Sequence, residues 1–153
     1  MNDTDILRRI QSDMAAAMKA KDAGTLSTLR MLKTALMEAK TKKPKDALLS
    51  AEEVIEVLQR YAKKRREAIE EFRKVGREDL VASEEQEIQV TARYLPQGLG
   101  DDEIRALIRE AVAKTGAAGP KDMGKVIGAV MGQARGRVEG GTVSRLVKEI
   151  LGG

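Results

Sequence analysis

Apolar residues recur along this chain every three or four positions, the spacing of amphipathic helices, and strict alternation is absent. Ile6, Leu7, Ile10, Met14, Ala17 and Met18 share one face of a helix over residues 4–21, with Gly24 as its breaker. Leu26, Leu29, Leu32 and Leu36 predict a second, well-buried helix over 25–40. Residues 41–49 are basic, contain Pro44 and read as a loop. Ser50 and Glu53 have capping-box spacing and open a third helix that runs to about Val75. A fourth covers 79–94, after Gly76. The Pro/Gly-rich break at 95–100 marks a domain boundary. Beyond it, Asp101, Asp102 and Glu103 form the acidic first turn of a fifth helix ending near Thr115. A sixth spans 121–135, and a seventh is capped by Thr142 and anchored by Val143, Leu146, Val147 and Ile150. The pattern predicts an all-α protein of two small domains: an N-terminal helical bundle at 1–95 and a C-terminal three-helix domain at 96–153.

Composition narrows the chemistry. With 42% hydrophobic but only 2% aromatic residues, the cores are built from Leu, Ile, Val, Met and Ala. There is no cysteine and no histidine, which excludes disulfide frameworks, zinc–thiolate sites, cysteine nucleophiles and imidazole acid–base chemistry. No cofactor or metal site is indicated. No apolar run approaches the roughly 20 residues of a membrane span. The first residues lack the basic and apolar segments of a signal peptide, so a soluble cytoplasmic protein is expected. The formal charge of +4 is shared equally by residues 1–95 and 96–153, and the cations of the second half concentrate after Gly119.

The sixth helix carries the most informative pattern. Gly124, Gly128 and Gly132, continued by Gly136, recur at every fourth position and form a ridge away from Met123, Val126, Ile127 and Val130. Lys121, Lys125 and Arg135 fall on the glycine side. Interior glycine costs roughly 1 kcal/mol against alanine, so packing or function has to offset it. Gly-xxx-Gly spacing permits close helix packing; equally, bare backbone flanked by cations suits the approach of a polyanion. Arg137, in the loop before the seventh helix, and Arg145 on that helix extend the cationic set beside a helix N-terminus. The RNA-binding candidates are therefore Lys121, Lys125, Gly128, Arg135, Arg137 and Arg145.

Other constellations have simpler readings. Residues 119–125 match the start of a phosphate-binding loop, but Val126 replaces the magnesium-binding hydroxyl residue and no strand precedes it. Asp101/Asp102 and Glu84/Glu85 are ordinary helix-start and helix-surface acids, and no catalytic residue is assigned. Arg65 falls at the centre of the apolar stripe of Val54, Leu58, Tyr61, Ile69 and Phe72. A buried arginine needs a partner, and Glu84, Glu85 or Glu87 can supply a structural ion pair.

Five segments together carry a family likeness: Leu26–Lys33, Arg65–Phe72, Gly76–Leu80, Tyr94–Pro96 and Lys121–Gly128. Over essentially its whole length the chain resembles the GatB/YqeY family, and within it the free-standing YqeY-like proteins. The resemblance implies that residues 96–153 are similar to the tail of the tRNA-dependent amidotransferase B subunit, which helps engage tRNA. The kinase-like catalytic cradle and the glutaminase of that enzyme have no counterpart here. What is implied is a non-catalytic tRNA-binding or tRNA-linked accessory protein. A helix-docking protein-interaction module is the alternative, and a carbon–nitrogen ligase component using glutamine as amido donor is the label the family carries.

Overall fold

The computed structural model of the chain describes residues 2–152, and these form seven α-helices with no strand. They are α1 (Asp3–Lys19), α2 (Ala23–Thr41), α3 (Ala51–Lys74), α4 (Glu78–Ala92), α5 (Asp101–Thr115), α6 (Met123–Gln133) and α7 (Gly140–Leu151). One 3-10 turn, Pro120–Asp122, leads into α6. Contacts divide the chain into two compact units, Met1–Leu95 and Pro96–Gly153.

In the first unit α2 packs against α1, α3 and α4, while α3 and α4 pack on each other. Leu29, Leu32 and Leu36 of α2 are the buried spine, met by Ile6 and Ile10 of α1, Val54, Leu58 and Tyr61 of α3, and Val90 of α4. The capping box forms: Ser50 Oγ accepts from Glu53 N at 3.1 Å, and Glu53 Oε1 accepts from Ser50 N at 3.0 Å. The expected break at Gly24 does not occur. Lys21 makes the turn with φ of 58°, Asp22 caps α2 through Thr25 N at 3.1 Å, and Gly24 lies inside the helix. A Cβ at Gly24 would meet Gln86 Nε2 of α4 at 3.0 Å, so its smallness serves the approach of α2 to α4.

Two polar contacts close this unit. Asp3 is completely buried at the start of α1: its Oδ2 accepts from Leu49 N at 2.9 Å and lies 3.4 Å from Lys40 Nζ. In the middle of α1, Arg9 Nη2 donates to Arg93 O at 2.8 Å and stacks over the Tyr94 ring, while the Tyr94 hydroxyl donates to Asp13.

In the second unit α5, α6 and α7 all touch one another. Ile104, Ile108, Val126, Val130, Val143, Leu146 and Val147 fill the core. Gly116 ends α5 in the left-handed conformation (φ 69°), and buried Gly136 turns the chain between α6 and α7 at φ 82°. Thr142 is not the cap of α7. Extended Glu139 holds that place and its carbonyl accepts from Val143 N at 3.0 Å, so the helix already begins at Gly140.

Burial alone would raise the pKa of Asp3, but the Leu49 N–H and the Lys40 ammonium outweigh it and hold the carboxyl below its ordinary value. Asp3→Ala should therefore cost about 2–3 kcal/mol at pH 7, the scale of lost hydrogen bonds to a charged group. Because the folded-state pKa is lowered, the stabilisation is complete above the unfolded value of 3.8 and disappears as pH falls through the folded one. Denaturant melts of wild type and variant should be well separated at pH 7 and draw together as pH falls below 3.8.

Candidate functional site

The buried stripe of α6 consists of Val126 and Val130, both 0% exposed, flanked by half-buried Met123, Ile127 and Met131. The opposite face carries Gly124, Lys125, Gly128, Ala129, Gly132 and Gln133, all exposed. A Cβ built on Gly124, Gly128 or Gly132 would meet nothing within 4 Å. The close helix packing that this spacing permits is therefore not made within the chain at these three glycines. Lys121, on the 3-10 turn, is exposed as well, and neither Lys121 nor Lys125 makes an ion pair or hydrogen bond among the described residues.

The other candidate cations are arranged differently. Arg137 is exposed, but its Nε donates to Gln97 O at 2.9 Å while its own carbonyl accepts from Leu99 N at 2.9 Å. Arg145 Nη2 lies 3.1 Å from Asp101 Oδ2. Both guanidinium groups are thus tied to the segment that enters α5. Arg135 follows α6 and is exposed. The N-terminus of α7 has a carboxylate residue, Glu139, at its cap, which opposes an anion there. In the loop before α6, the Asp122 carboxylate accepts from Ala118 N at 3.1 Å, so the phosphate-loop-like segment bends around a negative group of its own.

In the first unit Arg65 Nε stands 3.8 Å from Glu84 Oε2, and its guanidinium lies 4.5 Å above the Tyr61 ring. Tyr61 in turn donates to Glu87 Oε1 at 2.9 Å. Burial first, then that bond to Glu87, push the Tyr61 hydroxyl above its ordinary pKa. Burial and repulsion from Glu87 raise Glu84, with Arg65 opposing them. Arg65 is mostly buried and faces Glu84, as expected: its side chain is 26% exposed, while Nε and the facing Glu84 oxygen are shielded from solvent and stand too far apart for a hydrogen bond.

Asp3 and Tyr94 have roles that helical periodicity does not reveal. Asp3 reads as one more acid in a first turn, and the partner of Tyr94 is 81 residues away. Among the described residues no group of three or more His, Cys, Asp or Glu could hold a metal ion, and no helix is long and apolar enough to cross a membrane.

A family model described as "Yqey-like protein" matches residues 7–151. A Pyrenophora tritici-repentis protein named "Altered inheritance of mitochondria protein 41, mitochondrial" is 32% identical over 151 residues, covering 96% of this chain and 81% of that protein. A protein of the same name from Eremothecium gossypii is 34% identical over 92 residues, 60% of this chain and 50% of its own length. An uncharacterized Schizosaccharomyces pombe protein is 36% identical over 89 residues, covering 58% and 70%. The cytoplasmic location expected above is overturned by these relatives, two of which are named as mitochondrial. The features read for location, the lack of a long apolar run and the character of the first residues, do not separate one aqueous compartment from another.

Gly128→Ala should stabilise the chain by about 0.5–1 kcal/mol, because alanine is the better helix former and its methyl group enters open space; thermal melting checks this. Arg65→Ala should cost only about 1–2 kcal/mol. The facing atoms are buried but too far apart for a hydrogen bond, and Glu84, already pushed up by burial and Glu87, can take a proton once Arg65 is gone, so the 3–5 kcal/mol of a broken buried pair does not apply. Chemical denaturation distinguishes the two magnitudes.

Proposed function

As the chain belongs to the Yqey-like protein family, we propose that it is a non-catalytic accessory protein of two domains, 1–95 and 96–153, that binds tRNA or another structured RNA through the second. The observation that carries this reading is the open face of α6. Gly124, Gly128 and Gly132 leave its backbone bare, and Lys121 and Lys125 stand beside it without internal partners among the described residues. A phosphodiester can lie against such a surface with no side chain holding it off, and the lysines replace its counterions. The likeness of the C-terminal portion to the amidotransferase tail supports tRNA in particular.

Recognition is by shape and backbone, with the bases largely unread. Of the three aromatic residues, Tyr61 and Tyr94 are buried and hydrogen-bonded to carboxylates and Phe72 is half-buried, which leaves no stacking platform. Arg137 and Arg145, held on Gln97 and Asp101, add positive potential and shape the scaffold, while Lys121, Lys125 and Arg135 reach the RNA.

Lys121→Ala and Lys125→Ala should each weaken tRNA binding by roughly threefold to tenfold, about equally for different tRNAs. Each should also flatten the dependence of log K on log salt by about one unit or less. Gly128→Leu should weaken binding without lowering the melting temperature. Fluorescence anisotropy over a salt series reads all three. Charge variants without effect, combined with loss of a co-purifying protein in Gly128→Leu, would instead assign the face to a partner helix.

A further inference from the structure

The first unit holds a second concentration of positive charge, which no part of the RNA reading uses. A groove of about 380 Å³ between α1 and α2 is lined by Thr4, Leu7, Arg8, Gln11, Lys33 and Lys40. Thr4 and Gln11 are seven positions apart on α1, as are Lys33 and Lys40 on α2. That is about two helical turns, or roughly 10 Å. At one end Lys40 Nζ lies 3.4 Å from Asp3; at the other Lys33 Nζ donates to Gln11 Oε1 at 3.1 Å. Arg8 lies between these ends in sequence, on the α1 wall.

Three cations therefore face one concave surface, and among the described residues one carboxylate, Asp3, pairs with one of them. Asp3, beside Lys40, is completely buried, and the oxygen nearest that lysine already accepts the Leu49 N–H. The partner of Lys33 is a neutral amide, and no carboxylate pairs with Arg8 among the described residues. With its carbonyl oxygen engaged by Lys33, Gln11 still has its amide nitrogen as a donor. Leu7 and the aliphatic stems of the cations supply apolar wall. A volume near 380 Å³ with a few convergent polar groups is the scale of a small-molecule site, not of a flat nucleic-acid footprint.

We propose that the α1–α2 groove binds a small polyanion bearing two or more phosphate groups, gripped by Arg8, Lys33 and Lys40 along two helical turns. A ligand with a single negative group would engage one end only. The spacing of the lysines along α2 selects distributed charge, and the arginine fork suits phosphate oxygens. This site is independent of the α6 face, since none of its residues belongs to the second unit.

The test uses the full chain and inorganic triphosphate as probe, at low ionic strength, followed by amide chemical shifts and calorimetry. Saturable shifts confined to residues near Thr4–Gln11 and Lys33–Lys40 are expected, together with a rise in melting temperature from ligation of the native state. Combined Arg8→Gln and Lys33→Gln should raise the dissociation constant at least tenfold, as loss of two charge-assisted contacts implies. The melting temperature without ligand should stay unchanged; Lys40 is left intact because it holds Asp3. Lys125→Gln should leave triphosphate binding as it was. No saturable shifts, shifts elsewhere, or an affinity indifferent to the double variant would overturn the proposal. So would a result in which triphosphate fails to bind while tRNA affinity falls in the double variant, since the groove would then be an RNA contact.

Discussion

The packing of α2 against three other helices is the constraint on which the first unit depends. Leu29, Leu32 and Leu36 reach 0–1% exposure because α1, α3 and α4 each lay an apolar stripe on that one helix. With aromatic residues at 2% of the chain, few large flat side chains bridge gaps, and the helices have to approach closely to exclude water. Gly24 lies where α2 meets Gln86 of α4 and shows how tight that approach is. The two tyrosines are placed where the core meets solvent, their rings inward and their hydroxyls on carboxylates, an arrangement that uses both halves of the side chain.

Charge is disposed in two ways around this framework. Some groups are consumed by the fold: Asp3 ties the start of α1 to the residue before the α3 cap, Arg65 covers Tyr61, and Arg137 and Arg145 hold the entry to α5. Others, including Lys121, Lys125 and Arg8, have no such employment among the described residues. A net charge of +4 understates this division, because most acids serve helix caps, first turns and ion pairs. The cations left over, more than the total, define where an anion is attracted.

In the second unit the division runs along a single helix. Two valines of α6 are fully buried, and the opposite side is a row of glycines facing nothing within the chain. Such a helix gives up stability relative to an alanine-rich one. Among the described residues, no packing contact at these glycines offsets that cost.

Helix periods, the Ser50–Glu53 box, the acidic start of α5 and the glycine that ends it were all determined by the sequence itself. Each depends on residues within four positions of one another, where backbone geometry leaves few choices. Turn placement was legible only in part. Lys21 and Glu139 took the roles expected of Gly24 and Thr142: a neighbouring cap, Asp22 on Thr25, starts α2 ahead of Gly24, and α7 begins at Gly140 ahead of Thr142. The candidate cations were readable as a list, but which of them the fold ties down was not: the partners of Arg137 and Arg145 lie about 40 residues away, and the groove wall facing Arg8 belongs to a different helix. The glycine ridge shows the limit most plainly. Its spacing is a property of the sequence, whereas its exposure depends on which helices come near, and only the tertiary structure decides those distances.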